Sequence, residues 1–194
     1  MKKIISMLIF ACIAIGMSAQ ETQEHLKFKG IPIDGTVNSF VAKLKQKGYT
    51  HLTTSDGVAL LSGEFAAYKD CTIGVVSSKG RDSVCKVAVI FPAQDTWSAL
   101  ERNYLSLKNM LTTKYGEPSD CVETFQSYSQ PEDDNARMYE LKFDRCKYYT
   151  IFKTEQGAIQ LELGHESVTR CYVLLSYFDT INQQAIYSDA MDDL

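Results

Sequence analysis

Residues 35–48 read GTVNSFVAKLKQKG, and residues 95–116 read DTWSALERNYLSLKNMLTTKYG. Each stretch opens on a residue able to cap a helix N-terminus and closes on a glycine able to end one. Between those limits the apolar residues return at helical spacing. Val37, Phe40, Val41 and Leu44 share one face of the first stretch. Trp97, Leu100, Tyr104, Leu107 and Leu111 share one face of the second. The predicted anchors of the two helices are therefore Phe40 and Leu44, and Trp97, Leu100 and Leu107. Sixty residues separate the two starts and sixty-eight the two glycines, so the second helix reads as about two turns longer.

The segments after each helix also echo one another. Tyr68-Lys69-Asp70-Cys71 precedes an apolar run from Thr72 to Val76, a Lys79-Gly80 turn and a second run from Ser83 to Phe91. Phe143-Asp144-Arg145-Cys146 precedes Lys147 to Phe152, a Glu155-Gln156-Gly157 turn and Ala158 to Leu163. Ile159, Leu161 and Leu163 alternate with Gln160 and Glu162, the period of a strand with one buried face. Hairpins are predicted upstream of both: His51 to Thr54 with Val58 to Ala66, and Cys121 to Tyr128 with Arg137 to Phe143, the latter pair joined by a solvated loop from Ser129 to Ala136. A third strand-to-helix junction, Cys171 to Phe178 running into Asp179-Thr180-Ile181-Asn182, closes the chain. The expectation is an α+β fold of two tandem repeats, each a helix packed on an antiparallel sheet of about four strands.

The first nineteen residues fall outside that pattern. Lys2 and Lys3 precede an apolar stretch from Ile4 to Gly16, too short for a bilayer span, and Met17-Ser18-Ala19 offers a small-residue cleavage site before Gln20. They read as a signal peptide, which implies export to the periplasm or the extracellular space and no membrane span after cleavage. The domain organisation expected is then residues 1–19 as leader, 20–92 as the first repeat and 93–194 as the second, the two forming one compact unit.

Composition narrows the function. The chain carries 20 Lys+Arg against 24 Asp+Glu; two lysines leave with the leader, so the exported part stands at −6. That balance gives no electrostatic footprint for nucleic acid. Five cysteines remain, at 71, 85, 121, 146 and 171, without a CxxC or a Cys/His cluster, so no zinc or other metal site is expected. No phosphate loop, dinucleotide fingerprint or GxSxG is present, no cofactor is expected, and no catalytic residue is assigned. Cys146 and Cys171 begin the strands before and after Ala158 to Leu163. They form a possible disulfide if the strand ends curl together. Tyr148 and Tyr149 are adjacent on one strand and so point to opposite faces; an exposed tyrosine there suits contact with a protein or glycan.

Several segments carry a resemblance: MSAQ at 17–20, FKGIPIDGT at 28–36, YKDC at 68–71, KYGEPS at 114–119 and YFDTIN at 177–182. Together they resemble a family of uncharacterised secreted Bacteroidetes proteins with a β-lactamase-inhibitor-protein-like tandem-repeat fold. The resemblance implies fold and compartment, its motifs being junctions, caps and turns. The function expected is a secreted, non-enzymatic binding or interaction module. One alternative is a small secreted hydrolase using a cryptic Cys171–His165 pair or paired carboxylates. Another is a structural component of a cell-surface assembly.

Overall fold

The computed structural model describes residues 24–78 and 82–192. Residues 1–19, expected as a leader, and Lys79-Gly80, expected as a turn, lie outside the described residues. The chain opens with a hairpin of β1 (Lys27–Phe28) and β2 (Ile31–Pro32), then helix α1 (Val37–Gln46). A meander follows, made of β3 (Thr50–Ser55), β4 (Val58–Phe65), β5 (Tyr68–Ser77) and β6 (Val84–Ile90). Next come α2 (Trp97–Tyr115), β7 (Asp120–Phe125) and α3 (Asp134–Lys142). Strands β8 (Cys146–Lys153), β9 (Gly157–Glu166) and β10 (Arg170–Asp179) lead into α4 (Thr180–Asp192).

Strands β3 to β10 form one eight-stranded antiparallel sheet in the order β3-β4-β5-β6-β10-β9-β8-β7. This corrects the expectation of two tandem helix-on-four-strand repeats. The meanders meet where β10 pairs with β6, in register from Leu174 opposite Ile90 to Phe178 opposite Lys86. Two separate sheets would have four open edges; joining them leaves two. The sequence of β10, RCYVLLSYFD, suits a central strand, because its five residues from Val173 to Tyr177 are apolar or small on both faces. The two remaining edges are polar: every residue of β3 is exposed, and β7 carries Asp120, Glu123 and Thr124.

A second correction concerns Arg137 to Phe143, expected as a strand. Arg137 to Lys142 belong to α3, with Phe143 as its C-cap, and Met138 and Leu141 of that helix are buried three residues apart. The Asp133 carboxylate caps this helix by accepting from Ala136 N at 2.8 Å. Thr36 and Thr96 do the same for α1 and α2, accepting from Ser39 N and Ala99 N. At the third junction the cap is Asp179, which accepts from Asn182 N at 2.9 Å.

Inner-face residues such as Ala59, Leu61, Ile73, Val75, Val87, Val89, Ile159 and Leu161 are fully buried. α1 packs over β3, β4 and β5; α2 and α3 pack over β8, β9 and β10. Phe40, Leu44, Trp97, Leu100 and Leu107 are all buried in this one core. Trp97 meets Tyr148 edge-on at 5.0 Å and Phe125 at 5.1 Å between ring centroids.

The N-terminal segment is tied to the far end of the chain by a buried polar hub. Asp179, fully buried, accepts from Leu26 N at 2.7 Å and from His25 Nδ1 at 3.1 Å. Asn182 Nδ2 donates to the carbonyls of Ile33 and Val84. Gly157 admits the close approach beside this hub, since a Cβ there would collide with the Phe178 carbonyl oxygen.

Candidate functional site

Cys171 and His165 are direct partners in the β10–β9 register. They do not form a nucleophile and base. Cys171 is fully buried, and burial pushes its thiol up. Both nitrogens of His165 are committed to acceptors: Nδ1 to the Ser167 carbonyl at 2.9 Å, Nε2 to Asp144 Oδ1 at 3.1 Å. No ring nitrogen is left to take a proton from the thiol. All five described cysteines are free thiols, Cys146 and Cys171 included. Burial, with Glu140 and Cys171 nearby, pushes Cys146 up to about 12.

His165 itself is a pH-dependent contact. Its pKa is raised above the ordinary 6.5, first by Asp144 and then by the Ser167 carbonyl. A raised folded value means the contact stabilises in full below the unfolded pKa and is lost as pH rises through the folded one. Relative to His165→Gln, the wild type is expected to melt higher at about pH 5.5 and to lose that advantage by about pH 9. Equal differences at both pH values would contradict the contact.

The acidic run Glu132-Asp133-Asp134 is used structurally. Asp133 caps α3, and Asp134 accepts from Ser98 N at 3.1 Å and Ser98 Oγ at 2.8 Å at the start of α2. These bonds hold the Asp134 carboxyl below the usual range. Among the described residues no group of three His, Cys, Asp or Glu is placed to hold a metal ion.

Sequence reading overlooked a cluster on edge strand β7. Lys108 of α2 donates to Cys121 Sγ at 3.2 Å and to Glu123 Oε1 at 2.6 Å. Tyr104 and Thr150 share a buried hydrogen bond of 2.6 Å next to it, and Thr150 Oγ1 lies 3.4 Å from Cys121 Sγ. The Cys121-x-Glu123 spacing, which puts both side chains on one strand face, was the available signal. Lys108 balances the acid, so the cluster pins β7 to α2.

A broad face of the sheet lies opposite α1, α2 and α3. Because register is continuous, residues from six strands line up in rows across it. One row runs Thr72, Ile90, Leu174, Glu162, Tyr149, Val122, each half-buried. A parallel row runs Leu60, Gly74, Ala88, Ser176, Gln160, Ile151. Five interstrand spacings make each row about 24 Å long. Tyr149 lies in this face, its hydroxyl donating to Asp120 Oδ2 at 3.2 Å. Its neighbour Tyr148 points the other way, against Trp97, Tyr104 and Phe125. Tyr172, also outward, lays its ring over Gly164, where a Cβ would come within 3.0 Å of it. Gln160 Nε2 donates to Glu162 Oε2 at 2.9 Å, which orients the one acid in the middle of the apolar row. α4 borders the face at one end, where Gln183 and Gln184 stand beside Ala158 and Phe178. No helix among the described residues is long and apolar enough to cross a membrane. Compared with family models, curated proteins and solved structures, the chain matches none.

Proposed function

We propose that the chain is an exported, non-enzymatic binding module that docks a protein through the open face of its sheet. The observation that carries this reading is the half-buried row from Thr72 to Val122. The row spans six strands and holds Ile90, Leu174, Tyr149 and Val122 in partial contact with solvent. An extended face of this kind, apolar with a few oriented polar groups, is the usual substrate of a protein interface. Tyr149 and Tyr172 supply rigid aromatic contact area with a polar tip, the residue type over-represented among interface hot spots. The hydrolase alternative draws no support from Cys171, which is sealed, or from His165, whose nitrogens are both engaged.

Site-specific photo-crosslinking in the native host tests the reading. A crosslinking side chain at Ile90 or Tyr149 is expected to yield one discrete heavier adduct. The same group at Leu105, exposed on the helix side, is expected to yield none. Leu174→Asp should cut the Tyr149 adduct at least tenfold, because it buries an unpaired charge in the interface. Adducts of equal strength from both faces, or none from the sheet face, would overturn the reading. Export is tested on the same material: a mature chain beginning at Gln20 outside the cytoplasm is expected.

A further inference from the structure

A separate feature lies on the helix side, between the β1–β2 hairpin and the C-terminal end of α2. A cleft of about 430 Å³ is lined by Lys29, Phe65, Lys114, Tyr115, Gln156 and Tyr177, among others. Beside it is an apolar recess of about 150 Å³, walled by Leu107, Met110, Leu111 and Leu175. The two cavities share Phe65, Lys114, Tyr115 and Tyr177, so they form one site with a charged half and an apolar half.

Three observations give that site its chemistry. Lys29 and Lys114 have no carboxylate partner among the described residues; their ammonium groups stand 5.9 Å from the Phe65 ring centroid and 4.8 Å from that of Tyr115. Lys27, the third lysine of the cleft, is neutralised by Glu24 at 2.9 Å. Lys29 also occupies a left-handed backbone position, φ 52°, in the two-residue turn it makes with Gly30 at φ 80°. Asparagine or glycine is the easier choice there, so a lysine is held at some cost at the mouth of the cleft. Tyr177, only 5% exposed, has no hydrogen-bond partner for its hydroxyl among the described residues, and it lines both cavities. A tyrosine hydroxyl that lines a cavity without a protein partner is available to donate to a bound acceptor.

We propose that this cleft binds a small amphiphilic carboxylate. The acid head sits between Lys29 and Lys114 and accepts from the Tyr177 hydroxyl. The apolar body, about one ring in size, fills the recess behind Met110. The combined volume is in the range of small-molecule sites, and an apolar void of about 150 Å³ is large enough for a benzene ring. Phosphate is the poorer fit, because the lysines are point charges and the lining of the two cavities brings neither an arginine fork nor a helix N-terminus. This site is independent of the docking face, which lies on the other side of the sheet.

Three probes separate its parts: 3-phenylpropionate, its alcohol 3-phenylpropan-1-ol, and propionate. Each is titrated into the purified protein by calorimetry and by ¹⁵N–¹H NMR. 3-Phenylpropionate is expected to saturate and to move the amide signals of Lys29, Lys114 and Tyr177. The alcohol, without the head, and propionate, without the body, should each bind at least tenfold more weakly. The double variant Lys29→Gln, Lys114→Gln should weaken the acid at least tenfold and abolish the salt dependence of its binding, since each lost charge-assisted bond is worth about a factor of ten. Both lysines are exposed, so the variant's amide spectrum should otherwise match the wild type. Tyr177→Phe should weaken binding about threefold or more. The proposal is overturned if the alcohol binds as tightly as the acid, if the double variant binds unchanged, if the shifted signals lie elsewhere, or if nothing saturates.

Discussion

Asp179→Ala is expected to lower the midpoint of thermal unfolding by about 10 °C or more. Asp179 is fully buried and accepts from Leu26 N, His25 Nδ1 and Asn182 N. Alanine leaves three donors without this acceptor, two of them, Leu26 N and Asn182 N, in buried bonds. Removing one member of a buried charged network typically costs about 3–5 kcal/mol. For a chain of this length each kcal/mol is worth about 2–4 °C. The loss also reaches two elements at once, because the carboxylate both caps α4 and anchors the strand that begins beside Leu26. Asp179→Asn keeps one oxygen but turns an amide NH₂ toward a donor, so an intermediate loss is expected. Scanning calorimetry with amide exchange at Leu26 reads both effects. A midpoint within about 2 °C of wild type for the alanine variant would show that the hub carries no stability.

Trp97→Ala is the second large effect. The indole is fully buried in the first turn of α2, and it joins that helix to Phe125 of β7 and Tyr148 of β8. Deleting a buried aromatic usually costs about 3–5 kcal/mol, a large share of a domain's total. Edge strand β7 depends on this contact and on Lys108, so its amides should lose protection before those of β9 or β10. Trp97→Phe isolates the cause. Trp97 Nε1 is sealed without a hydrogen-bond partner among the described residues. Phenylalanine keeps most of the ring and removes that orphaned donor, and should cost less than half as much as alanine. An unchanged melting temperature for Trp97→Ala would remove the indole from the core.

Local signals were legible and long-range ones were not. Thr36 and Thr96 cap their helices, and each could be read from a Thr before an apolar stripe. Helix α3 was missed although Asp133, Asp134 and the Met138–Leu141 spacing marked it. Three adjacent acids read as a solvated loop, whereas two of them are occupied by Ala136 N and by Ser98. The alternation around Tyr148 and Tyr149 correctly separated two faces, and only packing could say which ring lies under Trp97. The union of the meanders was hidden for a plainer reason. Period-two alternation reports which face of a strand is buried and says nothing about which strand lies alongside. The one clue was the apolar character of β6 and β10 on both faces, which suits strands with neighbours on both sides. The cleft is further still from local reading, since Lys29 and Lys114 stand 85 positions apart. So is the hub, where Leu26 and Asp179 are 153 apart.

Both the open sheet face proposed for docking and the buried hub require that the two meanders form one sheet. Native-state hydrogen exchange along the β6–β10 seam tests that most directly. The paired amides from Lys86 to Ile90 and from Leu174 to Phe178 are expected among the slowest in the protein, opening only with global unfolding. Fast exchange along both strands, while the interiors of the β4–β5 and β8–β9 pairs stay protected, would mean two separate sheets with free edges and would contradict the account.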